Sequence, residues 1–188
     1  MKENKRSSLC FRREIVVNLV LMTIFWTTTS MDYYMVLFFL KYVPGNIFMN
    51  TSLSCVADLV AYGISGVVMH KLGVKLSFTV AFLLSAAGGF LMICFFRADG
   101  GLMAFLVLFT KFGIAFAFNL CYISMPSLFP PEIQATAFGI CNLFARFSTI
   151  LAPLIAELPD PAPMACFTIT CIGSALLPLC LRKVPNHE

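Results

Sequence analysis

Charged side chains are scarce in this chain: Asp, Glu, Lys and Arg make up 12% of its 188 residues, against roughly 25% in an ordinary soluble domain. Hydrophobic residues make up 60%, among them 20 Phe, and the mean hydropathy is +0.90. This balance excludes an ordinary soluble domain and predicts an integral membrane protein. The net charge of +4 does not indicate nucleic-acid binding, because the basic residues fall in short loops and tails.

The sequence also lacks the motifs of common catalytic and metal sites. It contains no HExxH, GxSxG or GxxxxGK pattern. Its eight cysteines include no CxxC pair and have no histidine-rich neighbour. His70 lies at a predicted helix end and His187 in the tail, so neither has an evident role as a base. We therefore expect no enzyme activity, no cofactor and no bound metal.

Apolar runs of membrane-spanning length divide the chain into six segments, each close to or above the ~20 residues that cross a bilayer. They are residues 15–40, 51–69, 76–96, 102–123, 135–157 and 161–181. The predicted fold class is an all-α integral membrane protein with six transmembrane helices in one bundle. The predicted domains are an N-terminal tail (1–14), the bundle (15–181) and a C-terminal tail (182–188).

Lysine and arginine predict the orientation, because cytosolic loops are enriched in both. With the N-terminus in the cytosol, nine basic residues lie inside and two, Lys41 and Arg97, lie outside. The inside set is Lys2, Lys5, Arg6, Arg12, Arg13, Lys71, Lys75, Arg182 and Lys183. Both termini are therefore predicted to be cytosolic.

Four charges lie within the predicted spans: Asp32, Asp58, Lys111 and Arg146 in spans one, two, four and five. A charge at bilayer depth costs about 2.5–3.5 kcal/mol on insertion scales, so it needs a partner, a wet cavity or a function. Spans three and six carry no charge in their interiors. The six spans therefore follow the order polar, polar, apolar, and then repeat it. Repeats of three helices are typical of secondary transporters. We expect the charged helices to line a path and the apolar ones to face lipid.

Polar and aromatic neighbours accompany these charges at helical spacing. Asn119 shares a face with Lys111, Asn142 shares one with Arg146, and span one carries aromatic residues beside Asp32. Such a surface suits an organic ion. The predicted substrate-binding residues are Arg146, Lys111, Asn142, Asn119, Tyr33, Tyr34, Trp26 and Asp32.

Structural roles remain open for several of these residues. Asp58 with Lys111, or Asp32 with Arg146, could form internal ion pairs that fix helix register. Trp26, Tyr33 and Tyr34 could pack or anchor at the membrane interface. In span three, small residues recur every fourth position, at Ala81, Ser85 and Gly89, and predict close helix packing.

One stretch resembles a known family. The run YISMPSLFP at 122–130, then Gly139, Ala145-Arg146 and ILAP at 150–153, is similar to the tenth and eleventh helices of the organic cation, anion and carnitine transporters. These carriers belong to the major facilitator superfamily. Residues 30–34 resemble the seventh helix of the same family. The resemblance implies that the chain corresponds to the C-terminal six helices of a twelve-helix carrier, a 3+3 repeat.

The resemblance also implies a function. In the family, the position matching Arg146 is basic in anion and carnitine carriers, which favours an anionic or zwitterionic substrate held by Arg146 with Lys111 assisting. We expect transport by alternating access in the plasma membrane, with a second six-helix half or a full-length carrier as partner. The alternative is a truncated or short-isoform membrane protein that does not transport and packs against a full-length carrier.

Overall fold

The computed structural model describes residues 13–43, 46–95 and 100–182, and these ranges contain helices and no strands. The predicted tails therefore lie largely outside the described residues. Short 3₁₀ turns follow the first and last helices, at Leu40–Tyr42 and Leu177–Cys180. The helices are α1 (Arg13–Phe39), α2 (Ile47–Cys94), α3 (Gly100–Ile123), α4 (Met125–Leu128), α5 (Pro131–Thr149), α6 (Leu151–Ala156) and α7 (Ala162–Leu176).

Five of the described helical segments are long and apolar enough to cross a membrane. This confirms the predicted all-helical membrane class, whereas the predicted number of spans was six. The difference lies in α2, a helical element of 48 residues that joins the predicted second and third spans without the loop expected at 70–75. At 1.5 Å per residue such an element would be about 72 Å long if straight, more than twice the ~30 Å of a hydrocarbon core.

The α2 element is broken at one residue, Gly73, whose φ of 76° and ψ of 168° are not helical. A positive φ in this region is open essentially to glycine alone. The backbone therefore changes direction at a single position. A side chain at this residue would force strained backbone, although nothing lies within 4 Å of the place a Cβ would occupy.

Contacts with α3 show how the two parts of α2 run. In the first part, Asp58 lies opposite Lys111 and Ser65 opposite Asn119, so residue numbers rise together along the two helices. In the second part, Ser85 lies against Gly113 and Gly88 against Thr110, so one number falls as the other rises. The two parts of α2 on either side of Gly73 therefore run in opposite directions.

Small residues bring the second part of α2 close to its neighbours, as their spacing predicted. Ala81 and Ser85 are completely buried. A Cβ on Gly89 would lie 2.6 Å from Thr168 Oγ1 of α7, a distance that only glycine permits. The aromatic ring of Phe78 stacks on Phe25 of α1 with centroids 5.0 Å apart. The predicted packing role of the small-residue stripe is confirmed.

The two ends of the bundle are fixed by polar contacts. At one end, Asn18 near the start of α1 exchanges two hydrogen bonds of 2.8 Å with the backbone of Arg182, after α7. Lys75 Nζ donates to Leu179 O at the same end. At the opposite end, Lys41 forms an ion pair with Glu157.

The segment that starts at Pro131 and ends at Ala156 is the least buried of the spans. Within its most apolar stretch, 17% is buried inside the protein, against 44–56% in the other spans.

Candidate functional site

A buried ion pair joins the first part of α2 to the middle of α3. Lys111 Nζ lies 3.8 Å from Asp58 Oδ2, and the Lys111 side chain is fully buried while that of Asp58 is 14% exposed. The hydroxyl of Tyr33, on α1, donates to the same Asp58 oxygen at 2.7 Å. The ammonium group also lies over the Tyr33 ring, 3.1 Å from its centroid, a cation–π contact strengthened by the burial of the Lys111 side chain. Three helices thus meet at one charge pair.

An aromatic row extends from this ion pair across α1, α3 and α5. Tyr33 stacks on Phe118 at 5.2 Å, and Phe118 meets Tyr122 edge-on at 5.4 Å. Tyr122 in turn contacts Trp26 at 4.8 Å and Phe138 at 5.9 Å. Edge-to-face and offset contacts of this kind are the favoured geometries of aromatic pairs. We call these five side chains the aromatic row.

Arg146 lies at the far end of the aromatic row, where its charge acts on Tyr122. It is exposed and forms no ion pair with any residue of 13–43, 46–95 or 100–182. Asn142, one turn before it, is half-buried, while the hydroxyl of Thr149 donates to Ala145 O of its own helix. The polar side of α5 at this depth therefore consists of Asn142 and Arg146.

Asn119 and Tyr34 complete the polar side of the row. The amide of Asn119 donates to Ser65 Oγ at 2.6 Å and to Tyr62 O at 3.3 Å, so it joins α3 to α2. The ring of Tyr34 meets Tyr33 edge-on at 5.5 Å. Tyr34 is also within electrostatic range of Tyr62 and Tyr122. The structure therefore brings Lys111, Asn119, Tyr33, Tyr34, Trp26 and Arg146 along one connected surface.

Asp32 lies apart from this surface. Its side chain is completely buried and faces α7, where Thr170 Oγ1 lies 2.9 Å and Cys171 Sγ 3.4 Å from Oδ2. The proposed pairing of Asp32 with Arg146 is wrong, because Asp32 is enclosed by α7 while Arg146 is exposed on α5. The alternative pairing of Asp58 with Lys111 is confirmed.

Sequence reasoning missed Tyr62, Phe118, Phe138 and Ser65. Tyr62 lies one turn after Asp58 on the same helical face, and Phe118 lies seven residues after Lys111, so helical spacing from the charges could have found both. Phe138 and Ser65 gave no such signal among the many aromatic and small residues of the chain. An apolar recess between α1 and α5, lined by residues such as Leu19, Phe129 and Ile140, contains none of the predicted site residues.

No group of three or more His, Cys, Asp or Glu side chains within the described ranges is placed to hold a metal ion. Outside the spans, at the bundle end opposite Asn18, the hydrogen bonds that Lys41 and Tyr42 donate to Glu157 lower the pKa of its carboxyl from the usual 4.5. The Glu157 carboxyl is therefore ionised near neutral pH. It joins the segment after α6 to the 3₁₀ turn that follows α1.

No family model matches the chain, but individual proteins do. It is 26% identical over 174 residues to the solute carrier family 22 member 15-like protein of Xenopus tropicalis, covering 89% of this chain and 36% of that protein. Solute carrier family 22 member 4 of Mus musculus is 27% identical over 148 residues, 78% of this chain and 26% of its own length. The Homo sapiens organic cation/carnitine transporter 2 is 26% identical over 136 residues, 71% of this chain and 24% of its own.

These similarities confirm the family resemblance of the sequence. The relatives are solute carriers rather than enzymes. The chain spans about a third of the length of several of these relatives. It is a multi-pass membrane protein whose homologues are the solute carrier family 22 transporters of the major facilitator superfamily.

Proposed function

We propose that this chain takes part in the transport of small organic ions, with an anion or zwitterion favoured, as one half of a secondary carrier that works by alternating access. The observation that carries the proposal is Arg146, an exposed guanidinium in the last turn of α5, inside the apolar span Pro131–Ala156. At bilayer depth such a group needs a partner or water. The similarity to solute carriers supports transport as the use of that group.

The proposed bundle has six crossings, because we count α2 as two spans that meet at Gly73 (47–72 and 74–94). The opposite contact directions along α3 support this count. Arg13, Lys71, Lys75 and Arg182 then gather at one end of the bundle, the end defined by the Asn18 and Lys75 hydrogen bonds. The positive-inside rule favours the cytosol for that end, which supports cytosolic termini. We also propose the plasma membrane as the location.

A second bundle is proposed to cover the face that carries Arg146. The segment with Arg146 is the least buried of the spans, and lipid tails offer no partner for its charge. Alternating access needs a bundle to move against, with the site between the two. Because the chain matches about a third of its relatives' length, that bundle is either a further part of the protein or a second copy of the chain.

In this proposal Arg146 binds a carboxylate of the substrate. A guanidinium presents two parallel N–H groups that match the two oxygens of a carboxylate, and Arg146 has no ion pair of its own among the described residues. Asn142, one turn away, would add a hydrogen bond. Tyr34 and Tyr122 offer aromatic faces to an organic moiety. Because Arg146 has no acidic partner in the described part of the chain, an anion is favoured over a cation.

The other predicted residues are proposed to act behind this surface. Lys111 is neutralised by Asp58 and covered by Tyr33, so it would meet a substrate only after that contact opens. Asn119 holds α3 to α2, and Trp26 supports the Tyr122 ring from behind. Asp32 faces α7 and would reach a ligand only if the helices separated. These positions favour Arg146, Asn142 and Tyr34 as direct contacts.

Uptake of labelled organic anions and carnitine-like zwitterions by cells that express this chain tests the proposal. Arg146→Ala should lower uptake about tenfold or more, because a charge-assisted hydrogen bond contributes about 1.5–3 kcal/mol. Arg146→Lys should retain part of it. The matched control is Lys71→Ala, which removes an exposed cation far along the chain from Arg146 and should leave uptake unchanged. Equal uptake by Arg146→Ala and the parent chain would contradict the proposal.

A chain that does not transport and packs against a full-length carrier is the second candidate. It is favoured by the exposed surface of α5 and α6 together with the partial coverage of the relatives. Co-expression with a full-length solute carrier family 22 protein separates the two functions. Transport by the chain alone supports the first, whereas co-purification with the carrier and no uptake by the chain alone supports the second.

A further inference from the structure

Asp32 has an environment that no part of the proposed substrate contact explains. The carboxyl group is fully buried between α1 and α7, and its Oδ1 atom has no hydrogen-bond partner within the described residues. No cation faces it. An ionised carboxylate without a cation and with an unpaired oxygen is strongly disfavoured in such a place, and the group becomes neutral instead.

The charged and titratable groups of the neighbouring helices are directed elsewhere. Only the Cys171 thiol, on α7, faces Asp32 among the residues described. Lys111 of α3 is held by Asp58 of α2, and Arg146 of α5 acts on Tyr122. Other titratable groups near these helices have their own partners, among them Cys121 of α3 with Thr29, Cys141 of α5 with Thr23, and Glu157 after α6 with Lys41 and Tyr42.

Hydrogen-bond directions also favour a proton on this carboxyl group. Thr170 Oγ1 lies 2.9 Å from Asp32 Oδ2, 3.0 Å from Cys166 O and 2.8 Å from Phe167 O. A hydroxyl has one hydrogen to donate, and the two backbone carbonyls can only accept. A protonated Asp32 resolves the conflict: its O–H donates to Thr170 Oγ1, and the Thr170 hydroxyl donates to a carbonyl of its own helix. Oδ1 is then a neutral carbonyl oxygen.

From this geometry we infer that Asp32 is a proton-binding site, loaded in the conformation described and emptied when α7 separates from α1. The ligand is a single proton, bound at Oδ2 and shared with Thr170. No bond other than O–H forms or breaks, and the proton leaves to water once water reaches the site. If the proposed transport function holds, this site would connect the bundle's rearrangement to the proton gradient; that consequence rests on the proposed function, whereas the site itself does not.

Infrared spectroscopy of the purified full chain in lipid nanodiscs tests the site without any substrate. The carbonyl absorption of a protonated carboxylic acid should be present at neutral pH and should be lost in Asp32→Asn. Asparagine keeps the shape, and its amide N–H can still donate to Thr170 Oγ1, so the variant should fold. Asp160→Asn, which replaces an exposed acid, is the matched control and should keep the absorption. An absorption that is unchanged in Asp32→Asn would overturn the inference.

A second measurement does not depend on assigning a spectral band. As the pH rises from about 4, the ordinary value for an unfolded aspartic acid, the Tm of the parent chain should fall relative to that of Asp32→Asn, because the unfolded chain releases a proton that the folded chain keeps bound. If the Tm of the two proteins changed with pH in the same way, the proton-binding site would be contradicted. Where uptake is measurable, its dependence on external pH should disappear in Asp32→Asn. If Asp32→Asn loses the infrared absorption but uptake keeps its pH dependence, the proton-binding site stands and its link to transport is contradicted.

Discussion

Lys111 and Asp58 form an ion pair inside an apolar bundle, with Nζ and Oδ2 separated by 3.8 Å. The pair is enclosed rather than displayed: the Lys111 side chain is inaccessible, and the Tyr33 ring lies over its ammonium group. Its first consequence is structural, because each charge depends on the other for its stability in a medium of low dielectric constant.

Lys111→Met should therefore destabilise the bundle by about 3–5 kcal/mol, since it leaves the Asp58 charge without its partner. The double variant Lys111→Met/Asp58→Asn should recover much of this loss, because it removes both charges and keeps the volumes similar. Thermal unfolding in detergent, followed by circular dichroism, gives the coupling between the two positions. Additive effects of the two substitutions would show that the pair contributes nothing.

Gly88 faces α3 at a distance that leaves no room for a side chain. A Cβ there would lie 2.4 Å from Thr110 Oγ1 and 2.9 Å from Thr110 Cα. Gly88→Ala should destabilise the bundle by about 1–3 kcal/mol, as expected for overpacking. The control is Gly63→Ala in the first part of the same element, where nothing lies within 4 Å. Equal melting temperatures for the two variants would contradict the close approach of α2 and α3.

Gly73→Ala tests the break in α2. The position has room for a methyl group but a φ of 76°, so the cost arises from backbone strain of about 1–3 kcal/mol. Gly66→Ala, in helical backbone with open space around it, should be neutral or slightly stabilising. The measurement is the difference in unfolding free energy between the two variants. A Gly73→Ala protein as stable as Gly66→Ala would mean that the break does not depend on glycine.

The contact between Lys41 and Glu157 predicts a pH dependence at the opposite end of the bundle. Because the hydrogen bonds from Lys41 and Tyr42 lower the pKa of Glu157 from 4.5, its contribution to stability is present above that value and is lost as the pH falls through the lower, folded-state value. The Tm difference between the parent chain and Glu157→Gln should shrink in this acidic range. It should also shrink at high salt, because both side chains are exposed. A Tm difference that persists at low pH would show that Glu157 stabilises the protein through packing and not through its charge.

The sequence predicted the helices and the charged face better than it predicted the neighbours of each charge. Apolar runs and helical spacing depend on local order, so the spans and the common side of Lys111 and Asn119 could be predicted. Pairing depends on how helices rotate against each other. Asp58 and Lys111 were predicted as one option among others, while Asp32 was assigned to the site although it faces Thr170 of α7.

Arg146 also has one property that the local sequence predicts and one that depends on helix packing. Its depth follows from its place in an apolar run, but its exposure depends on which helices cover α5, and the sequence of a single bundle contains no signal for that. The turn at Gly73 was predicted as a six-residue loop because charges at 70–75 are typical of a loop. The helix instead continues almost to the glycine on each side, since one residue with a positive φ is sufficient to redirect the backbone.

The reciprocal hydrogen bonds between Asn18 and Arg182 bear on whether the chain crosses the membrane an even or an odd number of times. A polypeptide that starts and finishes at the same face of a bilayer must traverse it an even number of times. Five traversals would place Asn18 and Arg182 on opposite faces, about 30 Å apart across the hydrocarbon. Their contact at 2.8 Å therefore supports the even number of crossings that we propose, with the chain reversing at Gly73.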